Sequence, residues 1–159
     1  MGPGILIKAI LQGSFSLMVF GWAQIVMDIQ PLIVMITGEG HLHGFSHTYL
    51  GATLLAIFSA VTGKYLSEFG LIVLGISKSS SPIRITWIVV YVSAFIGTFS
   101  HVLLDSIMHS DVQPFYPFWD SNSLLGFIDI SSLHKFCFYS GGVGAVVYFV
   151  VRYLQKPES

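Results

Sequence analysis

The chain has 159 residues, of which 53% are hydrophobic and only 9% are charged, and its formal net charge is −1. A soluble domain carries about 25% charged residues, so this chain has too few charges to cover a surface in water. We therefore interpret residues 1–159 as one integral membrane domain in contact with the lipid bilayer. A net charge near zero argues against a nucleic-acid-binding protein.

Residues 5–27 form the first apolar stretch, which is long enough for one transmembrane helix of about 20 residues. Lys8 lies near its start, where a long side chain can extend to the lipid headgroups. Asp28 follows the stretch, and Pro31 is expected to kink or restart the helix. The stretch is not typical of a signal peptide, because it is too long and no clear cleavage site follows it.

A polar segment at residues 37–47, TGEGHLHGFSH, separates the first stretch from the second. Short tracts rich in histidine are typical of metal sites. The second stretch, residues 48–63, would span about 24 Å, less than the hydrocarbon core of about 30 Å. Its helix must therefore extend past Lys64, be re-entrant or be shielded by neighbours, and residues 64–77 fit an interfacial helix.

Residues 83–104 form the third stretch, and residues 135–153 form the fourth. Between them, residues 111–133 are expected to be a loop. In the fourth stretch, Gly141 to Gly144 predict either a kink or a patch of close helix packing. Together the four stretches predict an all-α protein, a polytopic membrane helix bundle with about four transmembrane helices.

The third stretch ends in a ladder of metal-binding residue types. His101, Asp105 and His109 are spaced four apart, which would place them on one face of a helix, one turn above another. Asp111 follows the ladder, and two prolines then prevent the helix from continuing. Imidazole nitrogen and carboxylate oxygen suit a divalent metal, with zinc first and manganese or iron next.

The basic residues predict the orientation of the four spans. One side of the membrane would carry six of them: Lys8, Lys64, Lys78, Arg84, Arg152 and Lys156. Only Lys135 would lie on the other side. The positive-inside rule then places both termini in the cytoplasm and both polar segments, 37–47 and 105–134, at the outer face of an inner or plasma membrane.

Ionisable groups within a membrane are costly and are usually functional. The candidate metal ligands are Asp28, His43, His47, His101, Asp105 and His109. Three or four such ligands would hold a catalytic ion and leave a position for water. A carboxylate that does not bind the metal, Asp111 or Glu39, could accept the proton of that water. We interpret His41 and His134 as structural residues.

The chain resembles the YdjM-like family of membrane-bound metal-dependent hydrolases over most of its length, in the segments MDIQPLI, HGFSHTYLGA and SHVLLDSIMHSDVQPFYPF. The resemblance implies that the metal ligands are Asp28, His47, His101 and Asp105, with His43 as a further ligand. It also implies a distant similarity to zinc-dependent phospholipase C, and hence phosphoester hydrolysis.

The chain departs from the family pattern at several places, among them the absence of an arginine beside the HGFSH histidines and a His43-to-His47 spacing that is one residue shorter than the family's usual pair. Gln30 stands where the family often has a second aspartate. His109 and Asp111 look like additions that could replace the missing ligand.

Three functions remain open at the level of the sequence. The favoured hypothesis is a metal-dependent hydrolase that acts on a phosphoester or phospholipid at the outer membrane face. The alternative is a non-catalytic membrane protein whose metal site only holds the bundle together. A metal-ion transporter is the third, but a permeation path needs polar residues through the whole depth of the membrane, and the cytoplasmic halves of spans two to four are apolar.

Overall fold

The computed structural model describes residues 2–78 and 80–155, and in those residues the regular structure is helical throughout, without a β-strand. Its five α-helices are α1 (Gly2–Leu11), α2 (Leu17–Thr37), α3 (Tyr49–Val73), α4 (Trp87–Met108) and α5 (Ile130–Leu154). The last four are long and apolar enough to cross a membrane. The predicted all-α bundle with about four transmembrane helices is therefore confirmed.

The first apolar stretch is divided, so its predicted span of residues 5–27 is wrong. The chain leaves α1 at Gln12, which has a positive φ of 46°, and the crossing helix begins at Leu17. Lys8 stabilises the break, because its ammonium donates to the carbonyl oxygens of Gln12 and Phe15 at 2.5 and 2.6 Å. Hydropathy could not show this break, because all of these residues lie in one apolar window.

Helix α3 is 25 residues long and extends past Lys64. This is the first of the three alternatives predicted for the second apolar stretch. The interfacial helix expected at residues 64–77 is wrong, because residues 64–73 belong to α3. Lys64 is tolerated within the helix because Glu68 lies one turn further on, with 2.5 Å between Nζ and Oε1. Glu68 also accepts hydrogen bonds from the Arg84 side chain and the Ile85 backbone, which ties α3 to the start of α4.

Helix α4 ends at Met108, so only two members of the predicted ladder, His101 and Asp105, are helical. His109 has an extended backbone, with φ −116° and ψ 126°, and its N–H donates to Asp105 O. The next loop is shorter than expected, because α5 begins at Ile130 after the cap residue Asp129, which accepts from Ser132 N.

Small residues allow α2, α3 and α4 to pack closely around one core. A Cβ on Gly97 of α4 would lie 3.1 Å from Phe20 O of α2, so the two backbones are almost in contact there. The core also contains two sets of apolar side chains, namely Val19 with Ala60, Val90 and Ala94, and Met27 with Ala52 and Val102.

Helix α5 packs against α1, and glycine makes this contact possible. A Cβ on Gly144 would lie 2.5 Å from Leu6 N, whereas one on Gly142 would meet nothing within 4 Å. Of the two expectations for residues 141–144, the structure therefore supports close packing, with Gly144 on the packed face.

The two polar segments meet at one end of the bundle. Tyr49 N, at the start of α3, donates to Pro114 O in the loop between α4 and α5 at 2.8 Å. Asn122 in the same loop donates to Ser106 O and His109 O, which satisfies carbonyls at the end of α4. Lys156, one of the six basic residues predicted to lie on one side of the membrane, falls outside the described residues.

Replacing Gly144 with alanine should lower stability by about 1–3 kcal/mol, because the new methyl group cannot fit against the α1 backbone. Gly142→Ala is the matched control, since it adds the same methyl group to the same helix in open space. It should be neutral or slightly stabilising, because alanine favours helix. Thermal unfolding in detergent measures both variants, and equal effects would contradict this packing of α5 on α1.

Candidate metal centre

Four side chains converge just inside the end of the bundle where the polar segments meet, and we call them the inner cluster: Asp28, His47, His101 and Asp105. Helix α2 supplies Asp28, and α4 supplies His101 with Asp105 one turn later. His47 ends a short 3-10 turn, Phe45–His47, directly before α3. The cluster thus joins two helices and the connection that leads into the third.

The distances within the inner cluster match those between ligands of one ion. His101 Nε2 lies 3.1 Å from Asp105 Oδ2 and 3.2 Å from Asp28 Oδ1, and His47 Nε2 lies 3.3 Å from Asp105 Oδ2. Four ligands bound tetrahedrally at 2.0–2.1 Å are separated from one another by roughly 3.3–3.4 Å. These three distances therefore fit neighbouring ligands of a small divalent cation.

A glutamine on α2 orients His101. Gln24 Nε2 donates to Gly97 O at 2.7 Å, so its Oε1 is the atom that accepts from His101 Nδ1 at 3.0 Å. In the neutral ring, Nε2 then carries the lone pair and faces two carboxylates. Lone pairs and carboxylates repel one another unless a proton or a cation lies between them. Metal-binding histidines are oriented by such a second hydrogen bond.

His47 is fully buried, and its Nε2 has no hydrogen-bond partner, although Asp105 Oδ2 is only 3.3 Å away. The other ring nitrogen, Nδ1, lies 2.9 Å from Ser46 Oγ. An unpartnered polar atom at such depth is expensive, and native structures rarely contain one. The donor set and this unsatisfied nitrogen both fit a metal ion.

A second group of side chains, His43, His109 and Asp111, lies nearer the surface, and we call it the outer cluster. His43 Nδ1 lies 3.0 and 2.9 Å from the two oxygens of Asp111, and the rings of His43 and His109 stack with centroids 4.4 Å apart. Partial burial opposes ionisation of Asp111, but the hydrogen bond from His43 outweighs it and lowers the pKa of that carboxyl group. The two clusters adjoin, because ligand atoms of His43, His47 and Asp105 also lie within 4.8 Å of one another.

Gln30 holds the polar segment at residues 37–47, which we call the histidine segment, in place. Its side chain accepts from Ser46 N at 3.1 Å and donates to His41 O at 3.4 Å. Gly44 permits this contact, because a Cβ there would lie 2.0 Å from Gln30 Nε2. An aspartate at position 30 would be shorter and could not donate to a carbonyl, so Gln30 has a positioning role that the shorter acid could not fill.

A cavity of about 490 Å³ opens beside the outer cluster, and an apolar groove of about 300 Å³ runs next to it. The cavity is lined by His41, His43, Gly44, Phe45, Thr48, Asp111, Gln113 and Tyr116. The groove is lined by Tyr49, Leu50, Thr53, Phe99, Pro114, Phe115, Tyr116 and Phe118. Tyr116 lines both, so the polar cavity and the apolar groove lie side by side.

The structure brings together all six predicted metal ligands, in the two clusters, together with Asp111. It does not bring in Glu39, which is exposed in the turn after α2 and lines neither the cavity nor a described cluster. The sequence reasoning missed the positioning roles of Gln24 and Gln30. Gln24 lies four residues before Asp28, so the helical spacing that revealed His101 and Asp105 could have revealed it.

The comparisons with known proteins assign a family. The family model described as YdjM inner membrane protein matches residues 9–157, which is nearly the whole chain. No curated protein and no solved structure matches, and nothing in these comparisons supports the predicted similarity to zinc-dependent phospholipase C. The chain belongs to the YdjM inner membrane protein family.

Proposed function

We propose that this chain is a membrane-bound metal-dependent hydrolase that cleaves a phosphoester, with phospholipid as the favoured substrate. The observation that carries the proposal is the inner cluster, in which two histidine nitrogens and two carboxylates face one another at ligand-to-ligand distances. Zinc is the first candidate ion, and manganese or iron is next. When bound, such an ion polarises a phosphoryl oxygen and lowers the pKa of a water molecule.

The residues of the inner cluster would have separate tasks. His47 and His101 supply neutral nitrogen ligands, and Gln24 keeps the His101 ring turned towards the site. Asp105 supplies a largely buried negative charge that faces both rings. The Asp28 side chain is 62% exposed, so it leaves the site accessible on one side. Access for water distinguishes a catalytic site from a closed structural one.

We assign no residue as the acceptor of the proton from the water molecule. Glu39 lies outside both clusters, and Asp111 already accepts from His43 with both oxygens.

The polar cavity and apolar groove beside the outer cluster favour an amphiphilic substrate. A phosphate-containing headgroup would occupy the polar cavity, and an acyl chain would lie in the groove that Tyr116 joins to it. The groove lies beside α3 and α4, both of which are long and apolar enough to cross the bilayer. A lipid could therefore reach it without leaving the membrane.

The first test concerns the ion. His47→Ala and His101→Ala should each lose the inner metal from detergent-purified protein, whereas His134→Ala, in an exposed position on α5, should keep it. Adding zinc at about 100 times its Kd should stabilise the wild type by about 2.7 kcal/mol. Metal analysis and thermal unfolding measure these effects. A wild type that binds no metal and is not stabilised by zinc would rule out the site.

The second test separates an enzyme from a structural metal site. Asp105→Asn keeps the shape of the side chain but removes its charge. Metal-loaded Asp105→Asn should therefore lose phosphoester turnover by about 100-fold or more, a loss typical of removing one electrostatic contribution. The assay compares long-chain phospholipids with water-soluble phosphoesters. A metal-loaded wild type that turns over none of them would instead favour the structural role, in which Asp105→Asn lowers only thermal stability.

We also propose that both termini are cytoplasmic and that both clusters lie towards the outer face, because the basic residues gather at the opposite end of the bundle. In a Cys137→Ser background, Ser123→Cys should react with a membrane-impermeant thiol reagent in cells whose outer membrane has been made permeable. Ser81→Cys should not react. Both positions are exposed in the structure, so the reverse pattern would mean the opposite orientation.

A further inference from the structure

The outer cluster has features that the inner site does not explain. His43, His109 and Asp111 each offer a ligand atom, and these three atoms lie within 4.8 Å of one another. The ring hydrogen bonds of His47 and His101 are made with Ser46 and Gln24 and not with these three residues, although the His43 ring packs edge-to-face against His47 with centroids 4.9 Å apart.

The backbone holds the outer cluster in place. His109 N donates to Asp105 O at 2.8 Å, and His109 O accepts from Asn122 Nδ2 at 3.3 Å. Among the described residues, the ring of His109 has no hydrogen bond, so its nitrogens are available to a ligand. An ion pair between His43 and Asp111 would need neither this fixed backbone nor a second imidazole beside it.

The geometry and the access also suit an ion. His43 Nδ1 lies 2.9 and 3.0 Å from the two oxygens of Asp111, which is hydrogen-bond distance, so an ion bound by both groups would replace the proton between them. The His43 side chain is only 13% exposed, whereas Asp111 is 47% exposed and lines the cavity. An ion could therefore enter from water and still be held by a largely shielded histidine.

We propose that His43, His109 and Asp111 hold a second divalent metal ion at the wall of the cavity, beside the inner site. Two nitrogens and one carboxylate select an ion of borderline character such as zinc, cobalt or manganese. This proposal goes beyond the inner metal site and has its own set of ligands. The two sites adjoin at His43, His47 and Asp105, whose ligand atoms lie within 4.8 Å of one another.

Counting ions tests the proposal without a substrate. Full-length protein in detergent is dialysed to equilibrium against zinc, and the metal content per chain is measured. The wild type should hold two ions, and His109→Ala and Asp111→Asn should each hold one. The remaining ion also reports that the variant has folded. His41→Ala is the matched control, because His41 lines the same cavity but belongs to neither cluster, and it should hold two ions.

The possible results separate this proposal from the proposed function. One ion in the wild type, unchanged in His109→Ala, would overturn the second site and leave the inner one intact. Loss of both ions in His109→Ala and in Asp111→Asn would show that the outer residues only support the inner site, and it would also overturn the proposal. A wild type without any ion would remove both sites. Retention of the outer ion in His47→Ala, with loss of the inner one, would support two separate sites.

Discussion

Asp105 lies against two imidazole nitrogens at the end of an otherwise apolar bundle, and much of the nearby structure serves to keep these three groups together. Burying a carboxylate is unfavourable unless it is paired or binds a cation. Helix α4 places His101 one turn before Asp105, and the turn before α3 brings in His47. Gln24 of α2 completes the arrangement by fixing which nitrogen of His101 faces the carboxylate.

A buried carboxylate also lies at the opposite end of the bundle. There, groups of the chain itself satisfy its charge, without a bound cation. Glu68 is surrounded by donors from Lys64, Arg84 and the Ile85 backbone, so its charge is satisfied within the chain. In the inner cluster, by contrast, His47 Nε2 has no hydrogen-bond partner, and His101 Nε2 lies 3.1 and 3.2 Å from two carboxylates that no lysine or arginine neutralises among the described residues. This difference is why we assign a ligand to one polar group and a structural role to the other.

The histidine segment is the part of the fold in which side chains substitute for regular structure. Gln30 binds backbone groups of His41 and Ser46, and Gly44 leaves room for it. These contacts direct His43 towards the cavity and His47 into the bundle. Helix α2 therefore orders a polar loop whose histidines lie at two depths, and the cavity lies beside this loop with the groove next to it.

The sequence by itself determined the membrane class, four spans and the seven residues that the structure gathers into two clusters, six of them as metal ligands and Asp111 as a proton acceptor. It could do so because apolar length and ligand type are properties of residues along the chain. It could not determine where the first span begins, because the break after Leu11 depends on the Lys8 side chain folding back onto Gln12 and Phe15. It also placed His109 on the α4 helix with Asp105, whereas the backbone turns away at that residue and carries it into the outer cluster. Only the tertiary structure decided how the ligands divide between inner and outer clusters, because that division depends on contacts such as His43 with Asp111, which lie 68 residues apart in the chain.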